Sequence, residues 1–165
     1  MFLQILTSKS SFIGKNKNII LNNFNKNLKI EFIYDSKSIK KSANLVPVIS
    51  YYKKILPNDL KKNNNIFVIH ESDLPKGRGM SPLFNQILKG KKKIITTVFK
   101  CNKNLDDGPF VYKKTFNYPK NLVYEEIKEL QMKNSLFLIK KLFQLVRQKK
   151  FKLKKQIGKP SFFKS

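Results

Sequence analysis

Apolar residues in this chain come in short blocks, set between stretches rich in lysine and asparagine. Phe2–Leu6 reads as a first buried strand. Phe12–Phe24 spaces its apolar residues roughly as a helix does, with Ser10 or Ser11 as the capping hydroxyl. Leu28–Tyr34, LKIEFIY, alternates like a strand. Leu45–Ser50, LVPVIS, is short, apolar and β-branched, and predicts a buried strand. Pro47 has no N–H for a ladder and so points to an edge or irregular position. Asn58–Asn65 predicts a polar connection with a turn of helix, and Ile66–His70, IFVIH, a further buried strand. Ser81–Gly90 carries helix punctuation: Ser81 as cap, Pro82 in the first turn, Gly90 as the stop. Ile94–Phe99 predicts a strand, and Pro109–Lys114 another after the turn at Asp107-Gly108. From Asn121 to Lys150, Leu122, Ile127, Leu130, Leu136, Ile139, Leu142, Phe143 and Val146 keep helical spacing, with a break expected near Asn134.

Strands alternating with helical segments predict an α/β fold, an open and mostly parallel sheet flanked by helices. No repeat or linker divides the 165 residues, which suffice to bury a real core. Residues 1–150 are therefore expected to form a single domain and 151–165, FKLKKQIGKPSFFKS, a basic tail without a clear period. No run approaches the roughly 18 apolar residues of a membrane span. The N-terminal apolar run has no basic leader and reads as a strand, not a signal peptide. The single cysteine, Cys101, excludes an intrachain disulfide and a Cys-based zinc cluster. A cytoplasmic location, no membrane partner and no metal are the resulting expectations.

Charge changes this picture less than its size suggests. The formal net charge is +25, yet only Arg78 and Arg147 among the 35 basic residues are arginine. A surface evolved to read phosphates or bases would use more of arginine's planar, bidentate fork. The lysine, asparagine, isoleucine and phenylalanine excess is what AT-rich coding would produce across a proteome. The charge still suits an anionic partner such as folate polyglutamate, a sugar nucleotide or tRNA.

Candidate chemistry gathers in two stretches. His70, the only histidine, ends a buried strand, and ligands in open parallel sheets bind outside the carboxyl ends of the strands. NLDDGPF, Asn104–Phe110, follows the strand Ile94–Phe99 and offers two carboxylates in a tight turn. If that strand neighbours Ile66–Ile69, both loops open on one edge of the sheet and Asp106 lies near His70. A carboxylate beside imidazole orients it and favours its charged form, which suits proton transfer near neutral pH. A structural histidine and an ordinary Asp-Gly turn are the competing readings. The glycines of Lys76–Gly79 lack the spacing of a phosphate-binding fingerprint. Arg78 suits a carboxylate or phosphate, or equally a solvated loop.

Together, HESDLPKGRGMSPLFNQIL and TTVFKCNKNLDDGPF resemble the formyltransferases that use 10-formyltetrahydrofolate, a family that includes methionyl-tRNA, glycinamide ribonucleotide and sugar-nucleotide N-formyltransferases. His70 matches the motif histidine, Leu74-Pro75 the loop, Arg78-Gly79 its Arg-Gly, and Leu105-Asp106-Asp107-Gly108 its Leu-Asp-x-Gly. ISYYKKILP (Ile49–Pro57) and GKPSFF (Gly158–Phe163) extend the likeness over nearly the whole chain. The resemblance implies a Rossmann-like catalytic domain and formyl transfer from 10-formyltetrahydrofolate to an amine. An amino-sugar nucleotide is the leading acceptor and methionyl-tRNA the alternative; an inactive formyltransferase-like or basic nucleic-acid-binding protein is a third reading.

By the same resemblance His70 and Asp106 are catalytic, the histidine polarising the formyl oxygen and the aspartate orienting and charging it. Ser72, Leu74, Pro75, Arg78, Gly79, Asp107 and Gly108 are expected to bind substrate or donor. One departure stands out. The family's oxyanion-binding asparagine falls at Val68, which has no side-chain donor, and losing such a donor typically costs about 10²–10³ in rate. Ser72 or a loop N–H replacing it, a slow enzyme, and binding without turnover are the alternatives. Related chains also continue beyond GKPSFF, so a truncated tail is expected here, without the accessory barrel that helps hold tRNA.

Overall fold

The computed structural model describes residues 1–163; residues 164–165, the last two of the expected basic tail, lie outside them. Strands β1 (Phe2–Leu6), β2 (Lys29–Ile33), β3 (Val46–Val48), β4 (Ile66–His70), β6 (Lys93–Lys100) and β7 (Phe110–Asn117) form one sheet in the order β2-β1-β3-β4-β6-β7. The first four pair in parallel. β6 runs antiparallel to both its neighbours, so five of the six strands point the same way and the mostly parallel sheet is as the sequence predicts. A two-residue strand β5 (Arg78–Gly79) pairs with β8 (Phe162–Phe163) in a separate small sheet.

Helices α1 (Phe12–Lys15), α2 (Lys17–Leu21), α3 (Pro57–Leu60), α4 (Pro82–Leu88) and α5 (Tyr124–Gln148) fill the connections. Strand alternation sends Leu3, Ile5, Leu45, Phe67, Ile69 and Val98 to one face. There they meet Met132, Leu138, Ile139 and Leu142 of α5, with Ile13 and Ile20. Leu6, Ile33, Val46, Val48 and Ile66 line the opposite face with Ile39, Ala43 and Ile55. Each such side chain contributes about 1.5–3 kcal/mol by leaving water.

Several local expectations are corrected. Ser11 does cap, accepting from the Gly14 N–H at 2.9 Å, but the expected helix Phe12–Phe24 divides at Asn16, whose φ of −109° is not helical. β3 is central, not an edge. Its bonds to β1 run from Gln4 N to Leu45 O and from Ile49 N to Leu6 O, and Pro47 falls between them, on the side where a donor is missing. Ser81 does not cap α4 through its side chain; it sits at φ 49° and receives Asn85 N at its carbonyl. α5 is unbroken over 25 residues, because Asn134 directs its amide to the Tyr118 hydroxyl at 3.0 Å and leaves the helix backbone intact. Among the described residues no helix is long and apolar enough to cross a membrane.

Buried Asp59 ties two crossovers, accepting from Ser36 Oγ at 2.6 Å and Lys62 Nζ at 2.8 Å. These two bonds, that of Lys62 first, hold its carboxyl below the usual aspartate range. A depressed folded-state pKa stabilises above the unfolded value, and that contribution is lost as pH falls through the folded one. Asp59→Asn is expected to destabilise the fold by about 1–3 kcal/mol at pH 7 in denaturant titrations. The gap to wild type should close as the pH is lowered past the ordinary aspartate range.

Candidate active site

The register of β4 against β6 decides how the two motif stretches meet. His70 pairs with Thr97, while Lys100, the last residue of β6, lies opposite Phe67. The loop after β6 therefore leaves the sheet at the edge opposite to His70, not at the shared edge expected from the sequence. It returns over the face that bears Val48, Val68 and His70, and residues 101–106 wall a cleft there. Gly108 makes the return possible: a Cβ at this position would collide with the Lys100 carbonyl.

The return brings Asp106 Oδ2 to 3.8 Å from His70 Nε2. Asp106 also accepts from the Gly79 N–H at 2.9 Å. His70 Nε2 lies 2.8 Å from the Gly77 carbonyl. A carbonyl only accepts, so Nε2 is the donor in this contact. Both side chains are largely buried, at 8% and 12% exposure, which strengthens the field of the carboxylate on the imidazole.

Behind this pair stands a second polar layer. Arg78 donates to Asp107 Oδ1 at 2.5 Å and to Gln156 Oε1 at 2.9 Å. Asn104 and then Arg78 hold the Asp107 carboxyl below its usual range. Arg78 and Asp107, expected to meet substrate or donor, thus meet each other. Ser72 presents a buried hydroxyl with no partner among the described residues, and its carbonyl receives Thr97 Oγ1 at 2.6 Å. Leu74 is fully buried, its N–H on Thr97 Oγ1, and a cis peptide joins it to Pro75. Gly79 lies on the cleft with φ 100°. Of the nine residues singled out from the sequence, His70, Gly79 and Asp106 line the cleft, and Ser72, Leu74, Pro75, Arg78, Asp107 and Gly108 stand behind it.

The cleft encloses about 460 Å³. Its floor is apolar (Val48, Val68, Phe99) and its rim carries Lys53, Lys54 and Lys103. The far wall comes from α4 and α5. Phe84 and Tyr124 stack with centroids 5.5 Å apart, and Lys128 Nζ lies 4.7 Å over the Phe84 ring. Lys128 donates to Gln131, which donates in turn to Glu71, the residue after His70. Burial lowers the Lys128 pKa, and Glu71 opposes that shift. Burial also pushes the Cys101 thiol up to about 12, so it is no nucleophile at neutral pH.

Sequence reasoning missed Lys128 and Gln131, which a helical period reports only as polar positions, and Glu71, a loop residue directly after β4. It also missed Gln156, which lies in a stretch without periodicity.

The family model described as Formyl transferase matches residues 13–135. Methionyl-tRNA formyltransferase of Rickettsia bellii is 34% identical over 86 residues, 52% of this chain and 28% of that protein. Its counterpart in Rickettsia rickettsii is 31% identical over 90 residues, 53% of this chain and 29% of the relative. The match thus spans less than a third of the length of these curated relatives. Among solved structures, methionyl-tRNA formyltransferase from Clostridium thermocellum superposes with a TM-score of 0.73 at 20% identity, over 99% of this chain and 71% of the other. The formyltransferase PseJ from Anoxybacillus kamchatkensis was solved in complex with UDP-4,6-dideoxy-4-formamido-L-AltNAc and tetrahydrofolate. It superposes at 0.73 with 18% identity, over 99% of this chain and 85% of that one. At such identities these two likenesses establish a common fold.

Gly108→Ala is expected to cost about 1–3 kcal/mol of stability, because an added methyl cannot be housed against backbone. Denaturant unfolding of the variant checks it.

Proposed function

The chain belongs to the formyl transferase family, and on that premise we propose that it moves a formyl group from 10-formyltetrahydrofolate to the amine of an amino-sugar nucleotide. The observation that carries the reading is the pair His70–Asp106, 3.8 Å apart, on the wall of a cleft of about 460 Å³. That volume lies within the roughly 300–1,000 Å³ usual for small-ligand sites. The apolar floor suits a flat pterin ring, and the backbone around Gly79 and Met80 supplies polar edges. When bound, the donor supplies an activated formyl carbon: its bond to N10 breaks as the bond to the acceptor nitrogen forms, and one amine proton ends on N10.

In this reading the chain's residues hold charge and protons. His70 keeps Nε2–H on the Gly77 carbonyl and offers Nδ1 toward the reacting oxygen. Asp106 stabilises the imidazolium and takes the proton shed by the amine. Val68 leaves the oxyanion without its usual side-chain donor, and Ser72 is not on the cleft. Three side-chain amides are, Asn102, Asn104 and Gln131. Asn104 donates to Asp107, and Gln131 to Glu71. Asn102 accepts from the Asn104 N–H through Oδ1, and its NH₂ group has no acceptor among the described residues, so we assign it the donor role.

The acceptor follows from the rim and the far wall. Lys53, Lys54, Lys103 and Lys128 suit a diphosphate, and the half-exposed Tyr52 suits a stacked base. A second reading, methionyl-tRNA as acceptor, is supported by the 34% identity to the Rickettsia bellii enzyme.

Tetrahydrofolate release across a panel of amino-sugar nucleotides and charged initiator tRNA tests both. Release is expected with a sugar nucleotide; release only with charged tRNA, falling steeply with salt, would establish the second reading instead. His70→Ala is expected to abolish release with an unchanged melting temperature, and Asp106→Asn to cost about 10²–10⁴ in kcat. Asn102→Ala should lower kcat by about 10²–10³. Wild-type rates in any of these variants would remove that residue from the mechanism.

A further inference from the structure

Residues 151–163 return to the site and hold it from behind. Phe110 and Lys154 exchange backbone bonds at 2.8 and 2.9 Å, which anchors the segment beside the loop that carries Asp106. Two residues further on, Gln156 Nε2 donates to the Asp106 and Gly108 carbonyls, 2.9 Å each, while its Oε1 accepts from Arg78. Ser161 then grips the other partner: its Oγ accepts from Gly77 N at 2.9 Å, and its carbonyl from Arg78 N at 2.9 Å. Gly77 is the residue whose carbonyl holds His70. One continuous segment thus fixes both members of the pair.

We infer that Gln156 is a positioning residue that acts through Asp106. Asp106 sits at φ 48°, a left-handed conformation that a residue with a Cβ rarely holds without outside support. Its carboxylate is 3.8 Å from His70, so a small rotation of its peptide moves the charge out of reach. Gln156 fixes the carbonyls on both sides of Asp107 and so restrains the Asp106–Asp107 peptide. It also caps Arg78, which holds Asp107. Gln156 is not on the cleft, so it acts without touching substrate.

The inference rests on the His70–Asp106 reading, and the test separates the two. Gln156→Met keeps the length of the side chain and removes all three bonds. Gln156→Glu keeps the acceptor for Arg78 but sets a carboxylate against two carbonyls. Both are compared with wild type and with Asp106→Asn, singly and combined. Gln156→Met is expected to lower kcat about 10- to 100-fold, with the donor KM within about twofold, as displacement of a catalytic group does. In the Asp106→Asn background the same change should cost less than about twofold, since residues acting as a unit are not additive. Equal losses in both backgrounds, or wild-type turnover in Gln156→Glu, would overturn the inference.

A second readout needs no turnover. His70 is the only histidine, so its Cε1–H signal stands alone among imidazole signals in a proton spectrum. Gln156→Met should move that signal toward its position in Asp106→Asn. An unmoved signal overturns the positioning role even if wild type transfers no formyl group, and a moved signal supports it in that same case.

Discussion

The approach of Asp106 to His70 is the contact on which the rest of the site depends, and the sheet works against it. β4 and β6 are antiparallel, so the loop that carries the aspartate starts one strand-length away from the histidine. Bringing them to 3.8 Å requires the chain to double back over the sheet. Such a path has no ladder to hold it. Its geometry comes from Gly108 packed on Lys100, from the Gly79 N–H on the Asp106 carboxylate, and from Gln156 on the carbonyls of Asp106 and Gly108.

The layering follows. His70 and Asp106 face the cleft, and Arg78 and Asp107 pair with each other. Arg78 is largely buried, and leaving such a charge unpaired would be far more destabilising than never having placed it there. Its pairing with Asp107 joins the loop after β4 to the loop after β6. On the opposite wall, Lys128, Gln131 and Glu71 form a second buried chain, which ties α5 to the residue next to the histidine. The cleft is thus held rigid from two sides while its floor stays apolar.

The sheet was legible because buried strands leave short apolar runs and half-buried ones alternate: IFVIH and IITTVF, and the alternating LKIEFIY, fall within or close to β4, β6 and β2. His70 at a strand end and a carboxylate near it were also legible. Direction was not, because an alternating run reads the same whether its neighbour is parallel or antiparallel, and so the shared-edge expectation failed. Pro47 misled for a related reason: the proline cost depends on which neighbour loses the donor, and here the gap falls between two intact bonds to β1. Asn134 suggested a break by propensity, but a tertiary partner, Tyr118, takes its side chain. The segment that carries Gln156 has no period because it pairs through isolated bridges and side chains, which leave no repeat in the sequence.

On the proposed mechanism, this cleft transfers formyl from N10 of the folate to an amine instead of merely binding the donor. Its most direct test is carbon NMR with donor labelled by ¹³C in the formyl group, in the presence of the chain and an amino-sugar nucleotide. The N10-formyl signal is expected to decay as a formamide signal grows on the acceptor in equal amount. A donor signal that persists beside acceptor, or a label that appears only as formate, would contradict it.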